Sequence, residues 1–338
     1  MSAITLIDDD SYSASNLLNQ SIDSSAPGRP KVEVQSAIIR AINPRIRINA
    51  FAARVENVPL ARLDSSIILS CVDNRRARLV INRLAVRLGI PWLDAAVDTA
   101  SLVRVNAYKP GASTPCMECA LDDKYYAFPD QDYSCNTGNI EVPASGTPPE
   151  LGSLAASLLV GELGKILNDD SDDASLIGAQ FMLDTMTYEG HLCRYKRNEQ
   201  CRSDHQLWRI EAITLPPAEN TLADLFDAVD AGSDPAISLE GQVFTMYVDC
   251  IACGTRSNVG LSLFGRLPAR ARTCSCHGRM FAPGFFSFAA IRRSELSRTN
   301  LGLTLTALGI QSGDVISVTD GSGRARHIEI KEELSHHA

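Results

Sequence analysis

The chain has 338 residues, of which 45% are hydrophobic, so its length suits two globular domains with their own cores. Its formal net charge of -8 argues against nucleic acid as the main partner, because phosphate binding requires clustered Lys and Arg. We find neither a run of about 18 apolar residues nor a basic segment followed by an apolar core at the N-terminus. We therefore expect a cytoplasmic protein without a membrane span or a signal peptide.

The first hundred residues alternate between short apolar runs and helical patterns. The predicted strands lie at 4–7, 45–55, 65–74 and 90–97, and the predicted helices at 31–42 and 77–88. Pro30 fits the start of the first helix, Asn43 its end, and Gly89 the end of the second. This alternation predicts a Rossmann-like α/β domain with a mostly parallel sheet and helices on its faces.

Two aspartates follow predicted strands directly, Asp8 and Asp73. Ligands of parallel sheets bind beyond the carboxyl ends of the strands, which favours a functional role for both residues. Aspartates at strand ends also cap helices, so both interpretations stay open at this point.

The residue composition and the hydrophobic pattern of the chain change towards its C-terminus. Residues 106–147 are rich in loop-forming residues, and 151–167 predict a buried helix whose glycines allow close packing. From about residue 206 the sequence becomes rich in strand and turn patterns. We expect an N-terminal domain at 1–205 and a smaller, β-rich C-terminal domain at 206–338.

Ten cysteines in a chain of this size point to metal binding or catalysis. Four of them form a zinc-ribbon-like pattern, Cys250, Cys253, Cys274 and Cys276, in which each pair can sit on one turn. We expect a structural zinc site here, and neither a replacement ligand from His277 nor a nucleic-acid-binding role is excluded. Cys71 lies in an apolar run and is expected in the core, and a structural role is expected for Cys193.

Five motifs in order carry a family resemblance: LIDDDSYSASNLLNQ, GRPKVEVQSAIIRAINP, CVDNRRARLVIN, PCMECALDD and GSLAASLLVGELGKIL. Together they resemble the ThiF/MoeB/E1 family, whose members adenylate the C-terminus of ubiquitin-like and sulfur-carrier proteins. The resemblance covers residues 4–205. It implies ATP and Mg²⁺ as cofactors, a ubiquitin-like or sulfur-carrier protein as substrate, and a homo- or heterodimer of such chains.

The resemblance also implies roles for individual residues. The residues implied to bind the nucleotide are Asp8, Asp10, Asn16, Gln20, Lys31, Asp73 and Asn74. Among them Asp8 matches the aspartate that holds the ribose hydroxyls, Lys31 a lysine that binds phosphate, and Asp73 the aspartate near magnesium. Catalytic roles are implied for Lys31, Asp73 and Arg78, although Arg78 could be an ordinary exposed helix arginine. Cys135 is the candidate nucleophile, with a plain loop cysteine as the alternative.

The family closes a zinc site with two distant CxxC pairs. Cys116 and Cys119 form the first pair, and the second reads CRSDH, in which Asp204 replaces a cysteine and His205 comes next. Three cysteines and one histidine, with Cys201 as the third sulfur ligand, are a common structural zinc set. The alternative is a degenerate site with idle cysteines.

Two departures from the family pattern affect the expected activity. A strand and a glycine-rich phosphate loop precede the LIDDD strand in the family, and we expect both to be missing here. Asn19 stands where the family has an arginine. The chain is therefore expected to be a truncated or altered adenylating enzyme, with transfer to a cysteine as a further step. The alternative is a catalytically silent subunit, or a zinc-ribbon binding module, that pairs with an active partner.

Overall fold

The computed structural model describes residues 2–63, 65, 67–98, 101–111, 113–127, 148–168, 175–229 and 232–332. The chain divides into two compact units. The first comprises Met1–Val55 and Asp64–Leu207, and the second comprises Glu56–Leu63 and Trp208–Ala338. No helix in the described residues combines the length and the apolar character that crossing a membrane requires.

The first unit is an α/β structure. Its helices and strands are β1 (Ala3–Ile7), α1 (Lys31–Ile42), β2 (Arg47–Phe51), β3 (Ile68–Ser70), α2 (Arg75–Leu88), β4 (Trp92–Val97), β5 (Leu102–Tyr108), α3 (Asp123–Ala127), α4 (Pro149–Leu167), β6 (Ala179–Asp184) and β7 (Glu189–Arg194). β1 and β2 form a parallel pair, with α1 between them in the sequence. The other strands form a sheet in the order β3-β4-β5-β6-β7.

The prediction of a mostly parallel sheet is wrong for these strands. β3 and β4 are parallel, whereas β4–β5, β5–β6 and β6–β7 are antiparallel. Short connections explain two of these pairs, β4–β5 and β6–β7, because only antiparallel neighbours can be joined by a tight turn. β5 and β6 are antiparallel although α3 and α4 lie between them in the sequence. The first unit is therefore an α/β structure with mixed sheets.

Local sequence explains both ends of α2. The Asn74 side chain accepts a hydrogen bond from the amide of Ala77 (2.8 Å), which satisfies one of the free amides of the first turn. Gly89 ends the helix with φ of +70°, a conformation that glycine adopts without strain. α2 thereby starts directly after the strand-end motif and contributes Ile81 and Ala85 to a core that includes Trp92.

α4 packs on β4 and β5 through Leu151, Ala155 and Leu159. The prediction that its glycines allow close packing is wrong. A Cβ added at Gly152, Gly161 or Gly164 would meet no atom of the described residues within 4 Å. The three glycines therefore lie away from the packed side, and the buried apolar side chains of the helix make its contacts with the sheet.

The second unit is rich in strands and short helices. These are β8 (Ile210–Thr214), α5 (Leu222–Ala228), β9 (Ala236–Leu239), β10 (Phe244–Cys250), β11 (Arg256–Leu263), α6 (Ala269–Arg272), β12 (Met280–Phe281), β13 (Ser287–Phe288), β14 (Ala290–Arg292), α7 (Arg298–Leu301), α8 (Leu305–Leu308), β15 (Val315–Thr319) and β16 (Ala325–Lys331). One sheet has the order β14-β9-β15-β16-β8. A second has the order β11-β10-β12, and β13 also pairs with β10.

The segment 56–63 belongs to the second unit although it interrupts the sequence of the first. The amide of Ala61 donates to the carbonyl of Gly313 (3.0 Å), and the Gln242 side chain donates to the Asn57 side chain (3.0 Å). Leu60 and Leu63 are buried. These are contacts between residues far apart in the chain, which no local pattern predicts.

Candidate functional site

A charged cluster forms where β1 ends and α1 begins. Asp8 follows β1, and Lys31 is the first residue of α1. The Lys31 amide donates to the carbonyl of Asp10 (2.9 Å), and its Nζ donates to Asp10 Oδ2 (2.8 Å). The Asp10 amide in turn donates to Asp8 Oδ1 (2.8 Å). Asp8, Asp10 and Lys31, all predicted to bind nucleotide, are thus brought together.

The protonation of this cluster depends on burial and on charge. Burial raises the pKa of Asp8 above its usual value, although the amide of Asp10 and the charge of Lys31 oppose the rise. Burial acts against the charge of Lys31, but the hydrogen bond to Asp10 and the charge of Asp8 outweigh it and raise the pKa of the ammonium. Lys31 is therefore held as a cation beside the half-buried carboxylate of Asp8.

The next two predicted residues, Asn16 and Gln20, lie in and just after a short 3₁₀ helix at Ala14–Leu18. Asn16 Oδ1 accepts a hydrogen bond from the amide of Ser13 (2.9 Å), so the side chain stabilises the start of that helix. Gln20 is exposed, and its amide donates to the carbonyl of Asn16 (2.9 Å). Asn19 Oδ1 is buried and has no hydrogen-bond partner in the described residues.

Asp73 and Asn74 lie at the start of α2. Asn74 is a helix cap, as described above, and its Nδ2 donates to Asp73 Oδ1 (3.2 Å). Asp73 is exposed. No hydrogen bond or ion pair in the described residues connects it to Asp8 or to Lys31.

Arg78 is tied to a buried carboxylate. Its Nε lies 3.0 Å from Asp94 Oδ2, and a second nitrogen donates to the carbonyl of Val72. The Ser70 hydroxyl donates to Asp94 Oδ1 (2.6 Å). Burial raises the pKa of Asp94, whereas the charge of Arg78 opposes the rise. The alternative of an ordinary exposed arginine is therefore wrong. Sequence reasoning missed Asp94, although a lone charge within the apolar run of β4 was a usable signal.

Four predicted metal ligands from distant segments meet in the first unit. We call Cys116, Cys119, Cys201 and His205 the N-cluster; their ligand atoms all lie within 4.8 Å of one another. His205 Nε2 lies 3.6 Å from Cys116 Sγ and 3.5 Å from Cys119 Sγ. Cys116 Sγ lies 3.8 Å from Cys201 Sγ. Such a set of sulfur and nitrogen donors matches a tetrahedral zinc site.

The residue at the position of the missing family cysteine has a different partner. Asp204 forms an ion pair with Arg87 of α2 and accepts a hydrogen bond from the amide of Gln206 (3.0 Å). His205 has φ of +54°, in the left-handed region. The turn thus directs the imidazole, and not the carboxylate, towards the N-cluster.

Four cysteines also meet in the second unit. We call Cys250, Cys253, Cys274 and Cys276 the C-cluster; their sulfur atoms all lie within 4.8 Å of one another. His277, considered as a replacement ligand, is exposed and is not one of the four.

The remaining cysteines differ in what can be said of them. Cys135 lies outside the described residues, so its reactivity stays a prediction. Cys71 is exposed and follows the end of β3, so the expectation of core packing is wrong. Side chains alternate along a strand, and Cys71 shares the exposed face of Leu69 and not the buried face of Ser70. Cys193 is exposed on β7.

Sequence comparisons with known proteins agree with the resemblance seen in the motifs. The molybdopterin-synthase adenylyltransferases of Escherichia coli and Salmonella typhimurium are 28% and 30% identical over 202 residues, covering 59% of this chain and 75% of each protein. The sulfur carrier protein ThiS adenylyltransferase of Bacillus subtilis is 33% identical over 147 residues, 42% of each chain. A solved structure of Escherichia coli MccB with ATP has a TM-score of 0.47 and 21% identity, over 60% of this chain and 58% of that chain.

The family model matches more than half of the chain. The model of the ThiF family matches residues 1–203, which are more than half of this chain, while the C-cluster lies beyond the matched residues. The resemblance stated from the five sequence motifs is thereby confirmed: the chain belongs to the ThiF family.

Proposed function

We propose that this protein uses ATP to adenylate the C-terminal carboxylate of a ubiquitin-like or sulfur-carrier protein, or of a peptide. The observation that carries the proposal is the cluster of Asp8, Asp10 and Lys31 at the carboxyl end of β1. Relatives of the chain are named as adenylyltransferases of molybdopterin synthase and of a sulfur carrier protein, which supports the same reaction here.

The proposed reaction is a nucleotidyl transfer. A substrate carboxylate oxygen bonds to the α-phosphorus of ATP, the bond from that phosphorus to the bridging oxygen breaks, and pyrophosphate leaves with the electron pair. Asp8 can accept hydrogen bonds from two ribose hydroxyls. Lys31 offers a point charge to phosphate oxygens. Asp73 and Asn74 are proposed beside Mg²⁺, which favours carboxylate and water oxygens and neutralises the phosphate charge. Catalysis by these residues is positioning and charge neutralisation.

The N-cluster is proposed as a structural zinc site of the same unit. Its ligands connect the segment after β5 to the segment after β7, so a bound Zn²⁺ would fix both against α2. Four protein ligands leave no open position for substrate, which argues for a structural and not a catalytic metal.

Exchange of labelled pyrophosphate into ATP, with candidate carrier proteins added one at a time, tests the proposal. Exchange should require both Mg²⁺ and a carrier with a free C-terminus. Lys31→Ala should lower the exchange rate by about 100-fold, because it removes a cation that stabilises charge at the reacting phosphate. Lys196→Ala, which removes an exposed lysine elsewhere in the first unit, is the control. Equal rates for the two variants would overturn the assignment of Lys31.

Transfer of the acyl group to a cysteine is a separate proposal. If Cys135 is the acceptor, a thiol-sensitive conjugate with the carrier should form after adenylation and should vanish in Cys135→Ser. Cys193→Ser should leave it intact. A conjugate that survives in the Cys135 variant would assign the acceptor elsewhere.

Two observations favour a second candidate, a catalytically silent subunit of an active pair. Asn19 stands where the family has an arginine, and Arg78 is already bound by Asp94 and by the carbonyl of Val72. A silent subunit should show no exchange alone but should raise the exchange rate of an added ThiF-family partner. Because the expected dimer remains a prediction, mass measurement of the native complex should accompany this assay.

A further inference from the structure

The C-cluster lies on two turns that face each other. Cys250 is the last residue of β10 and Cys253 lies in the turn that follows, while Cys274 and Cys276 lie in the turn before β12. Cys250 Sγ lies 3.5 Å from Cys276 Sγ, and Cys253 Sγ lies 3.6 Å from Cys274 Sγ. Tetrahedral zinc with bonds of about 2.3 Å holds its sulfurs about 3.8 Å apart, whereas a disulfide needs about 2.05 Å. The distances therefore match ligands around one metal ion and not disulfides.

The backbone of both turns is shaped around the sulfurs. The Gly254 amide donates to the carbonyl of Cys250 (2.9 Å), with Gly254 at φ of +71°. The Cys274 amide donates to the carbonyl of Gly278 (2.8 Å). A Cβ at Gly278 would lie 2.6 Å from Cys250 Sγ, so this position tolerates only glycine while the sulfur stays in place. A backbone hydrogen bond thus closes each of the two turns.

This end of the second unit has a small apolar core. Its buried members in the described residues are Val248, Cys250, Leu267 and Met280. One of the four is a cysteine of the cluster itself. Ile251, between the first two cysteines, is 66% exposed. With so few buried side chains, a metal bound to the four thiolates would supply much of the free energy that holds the two turns together.

We propose that the C-cluster binds one Zn²⁺ through four thiolates, and that this metal exchanges faster than a metal in the N-cluster. Thiolates select soft or borderline ions, and tetrahedral four-sulfur geometry suits zinc. Cys253 and Cys276 are exposed, whereas Cys116 and Cys119 are buried. A chelator therefore reaches the C-cluster first. The site lies outside residues 1–203, which the ThiF family model matches, and it does not depend on the proposed adenylation.

Native mass spectrometry of the full chain provides the first test. The intact protein should carry two zinc ions. Cys253→Ser/Cys276→Ser should carry one, as should Cys201→Ser/His205→Ala, while the control Cys193→Ser should keep two. Two zinc ions in the Cys253→Ser/Cys276→Ser variant, or iron in place of zinc in the intact protein, would overturn the proposal.

Cobalt titration of the intact protein gives an answer even if a variant does not fold. Co²⁺ bound to four thiolates has a different absorption spectrum from Co²⁺ bound to three thiolates and an imidazole, so two distinct spectra should appear. On adding a zinc-binding dye to the zinc-loaded intact protein, one equivalent should be released about tenfold faster than the other. In the N-cluster variant only the fast phase should remain. Release of both ions at one rate, or loss of the fast phase in that variant, contradicts the proposed order.

Discussion

The N-cluster and the C-cluster use nearly the same ligands but are built in opposite ways. Cys116 and Cys201 are 85 residues apart, whereas Cys250 and Cys276 are 26 apart. Cys116 and Cys119 pack against Val86 of α2, in a unit whose larger cores lie beneath α2 and α4. Cys250 packs in a small core that is separate from the main core of the second unit. A long-range cluster therefore ties together segments that other contacts already position. A cluster whose ligands are close in sequence stabilises a region in which few apolar side chains are buried.

The largest expected effect comes from breaking the C-cluster. Cys253→Ser/Cys276→Ser should remove protection from amide hydrogen exchange between residues 248 and 281, since structural zinc contributes about 10 kcal/mol to small zinc domains. Cys201→Ser/His205→Ala should leave the amides of β4 and β5 protected, because α4 still covers those strands. If both variants lose protection equally in their own unit, the contrast between the two clusters is wrong.

Asp94→Ala tests how much stability the first unit gains from a buried ion pair that does not involve the N-cluster. Removing this buried carboxylate leaves Arg78 without its partner, and breaking a buried ion pair costs about 3–5 kcal/mol. Chemical denaturation followed by tryptophan fluorescence measures the loss, with Trp208 of the second unit replaced by Phe in all variants so that the signal comes from the buried Trp92. Glu189→Ala, an exposed carboxylate at the start of β7, is the control and should change the free energy of unfolding by less than about 0.5 kcal/mol.

Two variants, each truncating one buried side chain, compare the main core and the small core of the second unit. Leu305 is fully buried in its main core, and Leu305→Ala should destabilise the unit by about 3 kcal/mol. Met280→Ala, in the small core beside the C-cluster, should cost about 2 kcal/mol in the presence of zinc. Thermal unfolding with and without a chelator measures both effects. A larger loss for Met280→Ala than for Leu305→Ala would show that the small core carries more of the stability than we infer.

The smallest expected effect is at Gly254. Alanine at φ of +71° is strained by about 1 kcal/mol but meets no atom within 4 Å among the described residues, so the turn should form with weaker metal binding. The dye-release assay should show about fivefold faster release. Gly284→Ala, at a position that also meets no atom within 4 Å but has no positive φ, should leave the rate unchanged.

Much of the candidate site followed from residues that are close in sequence. The strand before Asp8, the helix that starts at Lys31 and the capped helix α2 were all predicted at nearly their observed positions, because periodicity and capping are local. Asp94 and Arg78 were not paired in advance, since their ion pair joins a strand to a helix that precedes it. Whether Asp204 or His205 faces the N-cluster depends on the backbone angles of the turn that contains them, and the sequence of that turn leaves both options open.

The sequence by itself determined the family, the principal helices of the first unit and the closely spaced cysteine pairs of the two clusters, because each rests on motifs of a few neighbouring residues. Only the tertiary structure decided that the sheets are mixed, that Cys71 is exposed, that the glycines of α4 face away from the packed side, and that 56–63 belongs to the second unit. Strand direction, burial and unit membership are set by contacts between distant segments. Local patterns do not encode which distant segments will meet.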